Sequence, residues 1–343
     1  MRLIFFYLQH RHAEHYFRFF QTEGYFWLLK RMIETGVVSE ALIVIDSPQQ
    51  TRPLQYMTGM TGISVQGISN IPGGMHPDDI IWVRGGWRSW FSVLQELKKQ
   101  KLLLYAANSG RERWPFWDVI FDDLNGKDFT DAQGRMHVDF RKPTNPEIFR
   151  PIEMEQIFDV CIGASHVHDK KGQWRGINAV IEYQTIFGKT LKCILPGAFG
   201  RGVKTNRIMD EIQKHNLDVE VPGMMPRHDM ATVYNQSKLF LHLGTGGQGD
   251  RGVLEAMRCG CSVMVGYPKY HAPFTYQTDL SYVAADPDHF STLAHEIHDQ
   301  LELSTDEKRV QVFEYHEEQC GVETIILPRM KELFRSFNGG NIS

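Results

Sequence analysis

The chain is expected to fold as two doubly wound α/β domains, and three observations lead there. Short apolar segments alternate with amphipathic ones along the whole length, the pattern of parallel strands joined by crossover helices. Residues 238–243 (KLFLHL), a glycine-rich loop, residues 253–259 and residues 261–265 (CSVMV) form one strand, loop, helix and strand unit. The length of 343 residues, with 42% hydrophobic and 23% charged, is enough to bury two cores of ordinary size.

Residues 2–8 (RLIFFYL) read as the first strand, and residues 9–22 as a polar, histidine-rich connection. Residues 24–35 (GYFWLLKRMIET) have helical spacing, with Thr22 available as an N-cap. Strands are expected at 41–45, 79–83, 102–106 and 119–121, with a helix over 87–100. Residues 122–151 contain Gly126, Gly134, Pro143, Pro146 and Pro151, turn formers that close the first domain, 1–155.

The second domain, 156–320, opens with the strand 159–164 (DVCIGA) and the loop 165–172 (SHVHDKKG). Helices over 174–187 and 203–215 flank a strand at 190–195, which ends in the turn Pro196-Gly197. A strand at 219–221 leads into Pro222-Gly223-Met224-Met225 and a helix over 228–236, for which Asp229 is a candidate cap. Residues 288–303 and 305–319 are amphipathic. A last helix over 322–337, interrupted by Pro328, belongs to a C-terminal segment, 321–343.

The chemistry concentrates in the loop after 238–243. Five glycines fall between Gly244 and Gly252, so backbone N–H groups there approach an anion closely. The helix that follows points its positive N-terminal end the same way. A diphosphate suits that environment, with Gly246, Gly247, Gln248, Gly249, Arg251 and Gly252 as its candidate contacts. Glu255, one turn into the helix, lies too deep for phosphate but offers two acceptor oxygens to the paired hydroxyls of a ribose.

Leu254-Glu255-Ala256-Met257 followed by Cys259-Gly260-Cys261-Ser262-Val263 resembles the nucleotide-sugar site of retaining GT-B glycosyltransferases of the sucrose-synthase-like, family 4 type group. The resemblance implies two Rossmann-like domains, the first for the acceptor and the second for a nucleoside diphosphate sugar, with UDP-sugars favoured. It also implies a terminal helix crossing back to the first domain, retention of anomeric configuration, and no permanently bound cofactor. The first glutamate of the family pattern is replaced by Gly247, followed by Gln248, and Asp250 is the candidate substitute. Of two family cations facing the diphosphate, Lys171-Gly172 keeps one and Ser165 stands in place of the other. Lys170, Arg201 and Arg251 are alternative sources of that charge. The family's base-holding turn corresponds to Met224 and Met225. Its first-domain histidine is absent from the corresponding loops, Arg84-Gly85-Gly86 and Asn108-Ser109-Gly110, which leaves Asn108 as a catalytic candidate beside Lys171 and Asp250. Gly24 corresponds to the family's cleft-lining helix start.

Composition narrows the alternatives. A formal net charge of −4 gives no global pull toward nucleic acid or anionic lipid. No apolar run approaches the roughly 18 residues of a membrane span, and the opening MRLIFFYLQHRH lacks the flank of a signal peptide, so a cytoplasmic location is expected. The five cysteines are odd in number and without CxxC spacing, consistent with buried thiols in a reducing compartment. His10, His12, Glu14 and His15 are not in HExxH order, and no metal site is expected. No GxSxG elbow occurs.

Six of the seven tryptophans lie in the first domain, and residues 82–114 carry seven Lys or Arg against two Glu. Core packing accounts for part of this. The rest suggests a cationic aromatic platform of Arg84, Arg88, Arg111, Arg113, Trp114 and Trp117, suited to an anionic acceptor such as a phosphorylated glycan or lipid carrier. A hydroxymethylated base in DNA is an alternative acceptor. A sugar-nucleotide 2-epimerase and a catalytically silent binding subunit are alternatives of other classes.

Overall fold

The computed structural model describes residues 1–8, 24–45, 62–67, 75–76, 78–85, 87–106, 116–122, 127–163, 166–167, 171–199, 203–244, 251–266 and 280–338. The chain divides into two compact units, Met1–Asn145 with Val322–Ser343, and Pro146–Gly321.

The first unit runs β1 (Arg2–Leu8), α1 (Gly24–Glu34), β2 (Glu40–Ile45), β3 (Ile63–Gly67), β4 (Ile80–Gly85), a 3₁₀ turn (Trp87–Trp90), α2 (Phe91–Lys98), β5 (Leu102–Ala106), β6 (Val119–Asp122), β7 (Phe129–Thr130) and β8 (Met136–Asp139). Its sheet has the order β3-β2-β1-β4-β5-β6-β8-β7. Only the β7–β8 pair is antiparallel. The order in which strands are added reverses between β1 and β4, a parallel pair in which Tyr7 lies opposite Arg84.

β1 shows why the sheet is covered on both faces. Leu3, Phe5 and Tyr7 join α1 in one core, whereas Ile4 and Phe6 join Leu94 of α2 in the other. Burial on both faces makes a continuous apolar run rather than an alternating one. Three strands of this unit, β3, β7 and β8, were not expected from the sequence. β3 (ISVQG) and β8 (MHVD) are short and part polar, and β7 with β8 forms a hairpin inside the glycine- and proline-bearing stretch read as a domain end. In the second unit, Ser281–Val283 is a three-residue strand of the same kind.

The second unit runs β9 (Phe158–Ile162), β10 (His166–Val167), α3 (Gln173–Phe187), β11 (Cys193–Pro196), β12 (Ala198–Phe199), α4 (Val203–Lys214), β13 (Val219–Gly223), α5 (Arg227–Asn235), β14 (Ser237–His242), α6 (Arg251–Arg258), β15 (Ser262–Val265), β16 (Ser281–Val283), α7 (Phe290–Glu302) and α8 (Asp306–Cys320). Its six-stranded sheet, β13-β11-β9-β14-β15-β16, is parallel throughout. Leu239, Leu241 and Met264 pack with α3, α4 and α7, whereas Phe240, Val263 and Val265 pack with α5, α6 and α8. Thr305 caps α8 by accepting from the Lys308 N–H. Asp229 falls in the first turn of α5 and makes no cap there.

The chain then makes a π-helical turn, Val322–Ile326, and ends in α9 (Leu327–Asn338). Helical pitch changes at Leu327, one residue ahead of Pro328. Proline in a first turn gives up an N–H that has no intrahelical acceptor. Val322, Ile326, Leu327, Met330, Leu333 and Phe334 complete the core of the first unit against α1. Arg31 of α1 bonds Glu323, with Nε to Oε1 at 2.6 Å.

α6 is braced at its C-terminal end. Arg258 is 7% exposed, donates to the Phe149 carbonyl and lies 2.9 Å from Glu317 of α8. Glu317 also meets His316 Nδ1 at 3.0 Å, and His316 is fully buried. Burial opposes the charge on Glu317, but the His316 bond and the Arg258 guanidinium outweigh it and hold the carboxyl below its ordinary value. Burial likewise pushes the His316 imidazole below its ordinary 6.5, against the weaker pull of Glu317.

Two outcomes follow for stability. Glu317→Gln leaves a buried guanidinium without its counter-ion and should cost about 3 kcal/mol in denaturant titrations. A depressed folded pKa contributes stability that is complete above the unfolded value, near 6.5 for histidine, and is lost as pH falls below it. The unfolding free energy should therefore drop between pH 7 and pH 5.5, and His316→Gln should flatten that part of the profile; an unflattened profile contradicts the assignment.

Candidate functional site

The order of the second sheet reverses between β9 and β14. The helices that follow these two strands, α3 and α6, lie on opposite faces, so their N-termini open onto the crevice at the strands' C-terminal ends. Several glycines allow the close approaches this needs. Gly172 is the N-cap of α3 with φ 80° and ψ 14°. A Cβ on it would lie 2.2 Å from the Leu243 carbonyl carbon and 2.6 Å from the Gly244 nitrogen. The start of α3 thus rests on the peptide that leaves β14 for the glycine-rich loop. One turn on, a Cβ at Gly176 would meet Ile162 of β9 at 2.7 Å. At Gly163 it would enter the Phe240 ring, 2.2 Å from the nearest carbon.

Lys171 stands directly ahead of Gly172 and is part buried. Arg251 and Gly252 are the first two residues of α6. Glu255 is its fifth residue and only 7% exposed. Glu255 Oε1 accepts from Arg227 Nη1 at 2.7 Å, with the two side chains 9% and 12% exposed. Arg227 is the first residue of α5 and follows the turn Gly223-Met224-Met225-Pro226 directly. That turn is fixed by Gly223 at φ 80° and by the Gly197 N–H, which donates to the Gly223 carbonyl at 2.7 Å. Met224 is 45% exposed, and Met225 packs on the core beneath.

The structure therefore brings Lys171, Arg251, Gly252 and Glu255 to the helix starts of one sheet edge, and ties the Met224–Met225 turn to Glu255. Gly246, Gly247, Gln248, Gly249 and Asp250 lie outside the described residues, as do Ser165, Lys170, Arg201, Asn108, Arg111, Arg113 and Trp114. The histidine group His10, His12 and His15 with Glu14 lies outside them as well. Among the described residues no group of three or more His, Cys, Asp or Glu is placed to hold a metal ion, and no helix is long and apolar enough to cross a membrane.

In the first unit, Gly24 opens α1 against the Pro143–Thr144 peptide, where a Cβ would fall 1.8 Å from the Pro143 oxygen. Arg88 is exposed. Arg84, by contrast, is 2% exposed at the end of β4, its guanidinium carbon 4.3 Å from the Tyr25 ring centroid and 5.5 Å from that of Tyr7. Trp117 is 1% exposed and packs among Ile4, Val83, Leu103 and Ile120, so a surface platform role is not open to it. Counting charges and rings along a sequence does not separate those that face inward. The five cysteines are all buried and form no disulfide, and burial pushes the Cys193 and Cys261 thiols up, the latter to about 12.

Arg227 was not identified from the sequence. A signal was present: a cation on the first turn of a helix opposes the macrodipole and calls for a nearby carboxylate. Nothing in the sequence says that the carboxylate is Glu255.

No protein-family model matches the chain, and no curated protein matches it by sequence. Solved structures match it over its length. A glycosyltransferase from Rickettsia africae ESF-5 gives a TM-score of 0.70 at 13% identity, covering 99% of each chain. Alr3699/HepE of Anabaena, in complex with UDP and glucose, gives 0.68 at 15% identity, covering 98% of this chain and 100% of its own. Sucrose-phosphate synthase from Thermosynechococcus elongatus gives 0.66 at 13% identity, covering 99% and 100%. The fold is α/β with two parallel-sheet domains, that of the GT-B glycosyltransferases.

Two glycines of α3 separate docking from backbone strain. Gly188 caps its C-terminal end at φ 64° with nothing within 4 Å of a Cβ, so Gly188→Ala should cost about 1 kcal/mol, that of the left-handed conformation alone. Gly172→Ala adds the collision with the Leu243 carbonyl and should cost at least about 1–3 kcal/mol more. Equal losses in thermal unfolding would mean that α3 does not depend on its contact with β14.

Proposed function

We propose that the chain is a glycosyltransferase that moves a sugar from a UDP-sugar to an acceptor, with retention of anomeric configuration and without a metal ion. The observation that carries this is the meeting of two helix N-termini at the β9/β14 switch point, with Lys171 ahead of one and Glu255 inside the other. Support for UDP comes from Alr3699/HepE, which shares the fold along its full length and is known in complex with UDP and with UDP-glucose.

In this reading Glu255 receives the ribose hydroxyls, the Met224–Met225 turn receives the base, and Asp250 faces the donor sugar. As the bond from the anomeric carbon to the diphosphate breaks, its electron pair passes to the departing oxygen. The carbon becomes cation-like, and the diphosphate gains about one negative charge. The N–H groups at the starts of α3 and α6, with Lys171, are fixed before the reaction and stabilise that charge most as it develops. Such stabilisation performs the electrostatic work a divalent ion would otherwise supply. The acceptor belongs to the first unit. Arg88, Arg111, Arg113 and Trp114 remain its candidate contacts, Asn108 a candidate for its orientation, and an anionic glycan or lipid carrier its class. The exposed Arg88, with Arg111 and Arg113 in the same stretch of sequence, supports that class.

Hydrolysis and transfer from a panel of nucleotide sugars test the reading. UDP-glucose should be consumed at a rate unaffected by chelator, and Lys171→Ala should lower kcat more than it raises the KM for donor. Loss of activity on chelation, restored by manganese or magnesium, contradicts the proposed electrophile. The charge-assisted bond to ribose is worth about 1.5–3 kcal/mol, so Glu255→Gln should weaken UDP binding about tenfold or more in calorimetry.

A further inference from the structure

The geometry points to Arg227 as a positioning residue that sets the Glu255 carboxylate for ribose and joins it to the base turn as one recognition element. The inference rests on the donor-site reading above. Glu255 sits at the fifth position of α6, past the helix start whose open N–H groups would otherwise orient an acceptor. Its Oε1 is instead held by Arg227 Nη1 at 2.7 Å, across 28 positions of sequence. Removed from bulk water, a charge-assisted bond of this kind fixes the side-chain rotamer and keeps the carboxylate an acceptor. Orientation matters because two vicinal hydroxyls must meet one carboxylate at hydrogen-bonding distance.

Arg227 also has a place in the chain that gives the pair a second effect. It follows Pro226 at the head of α5, so it moves with Gly223-Met224-Met225. The other end of that turn is held by the left-handed Gly223 and the Gly197 N–H. The turn cannot shift relative to Glu255 without separating a buried ion pair. Recognition of base and of ribose is thereby coupled, with Arg227 contributing through Glu255 rather than by touching the reacting atoms.

Discrimination between UDP and 2′-deoxy-UDP reads this coupling, because a purely structural role would lower affinity for both alike. Calorimetric titration of the full chain should show UDP preferred by about tenfold or more, and Glu255→Gln should abolish the preference. Arg227→Met should reduce it to about two- to threefold, and Arg227→Lys, which restores a cation, should recover most of it. Should Arg227→Met fail to fold by circular dichroism, Arg227→Gln carries the same comparison. If the preference survives in Arg227→Met while Glu255→Gln loses it, the inference is overturned and the donor site stands. If the unaltered chain does not bind UDP, the donor reading goes first and takes this inference with it.

Discussion

A side chain at position 172 would need the space held by the Leu243 carbonyl, and much of the second unit follows from that exclusion. Only glycine permits the start of α3 to rest on the end of β14. With that contact made, Lys171 stands beside the peptide that opens the glycine-rich loop. Gly176 against Ile162 and Gly163 against Phe240 repeat the principle on β9. A missing Cβ thus admits a backbone carbonyl at Gly172 and apolar side chains at Gly176 and Gly163.

What could be read in advance depended on how completely an element is buried. β14 (SKLFLH) and β15 (SVMV) are covered on both faces by helices, so their apolar runs were unmistakable and the doubly wound plan emerged from them. The edge strands β3 and β16, and β8 one place in from an edge, are short or part polar, and little in them differs from loop sequence. Glu255 was visible as a carboxylate one turn into a helix. Its partner was not, because local pattern carries no information about a contact 28 residues away. The same limit explains Arg84 and Trp117, which contribute to a count of cations and aromatics yet lie inside.

The buried charges of the described residues serve placement. Arg258 and Glu317 hold α6 to α8, Arg227 and Glu255 hold α5 to α6, and Arg2 with Asp79 clamps β1 to the start of β4 at 2.6 Å. Each pair links two elements that are distant in sequence. Desolvating such charges costs much of what their attraction returns, so their net effect on stability is smaller than their effect on register. α6 is held at its middle and its C-terminal end in this way, and its N-terminal end is left facing the crevice.

The first unit is assembled from two separated pieces of chain, with the second unit, Pro146–Gly321, inserted between them. Six residues from Val322 to Phe334 complete its hydrophobic core, and they follow the whole second unit in the chain. Vectorial synthesis therefore reverses the usual N-to-C sequence of domain folding. The inserted unit has its whole sheet available while the ribosome is still adding α9. Until then β1, β2 and α1 expose the apolar surface that α9 will cover, and the nascent chain carries a finished second domain beside an unfinished first one.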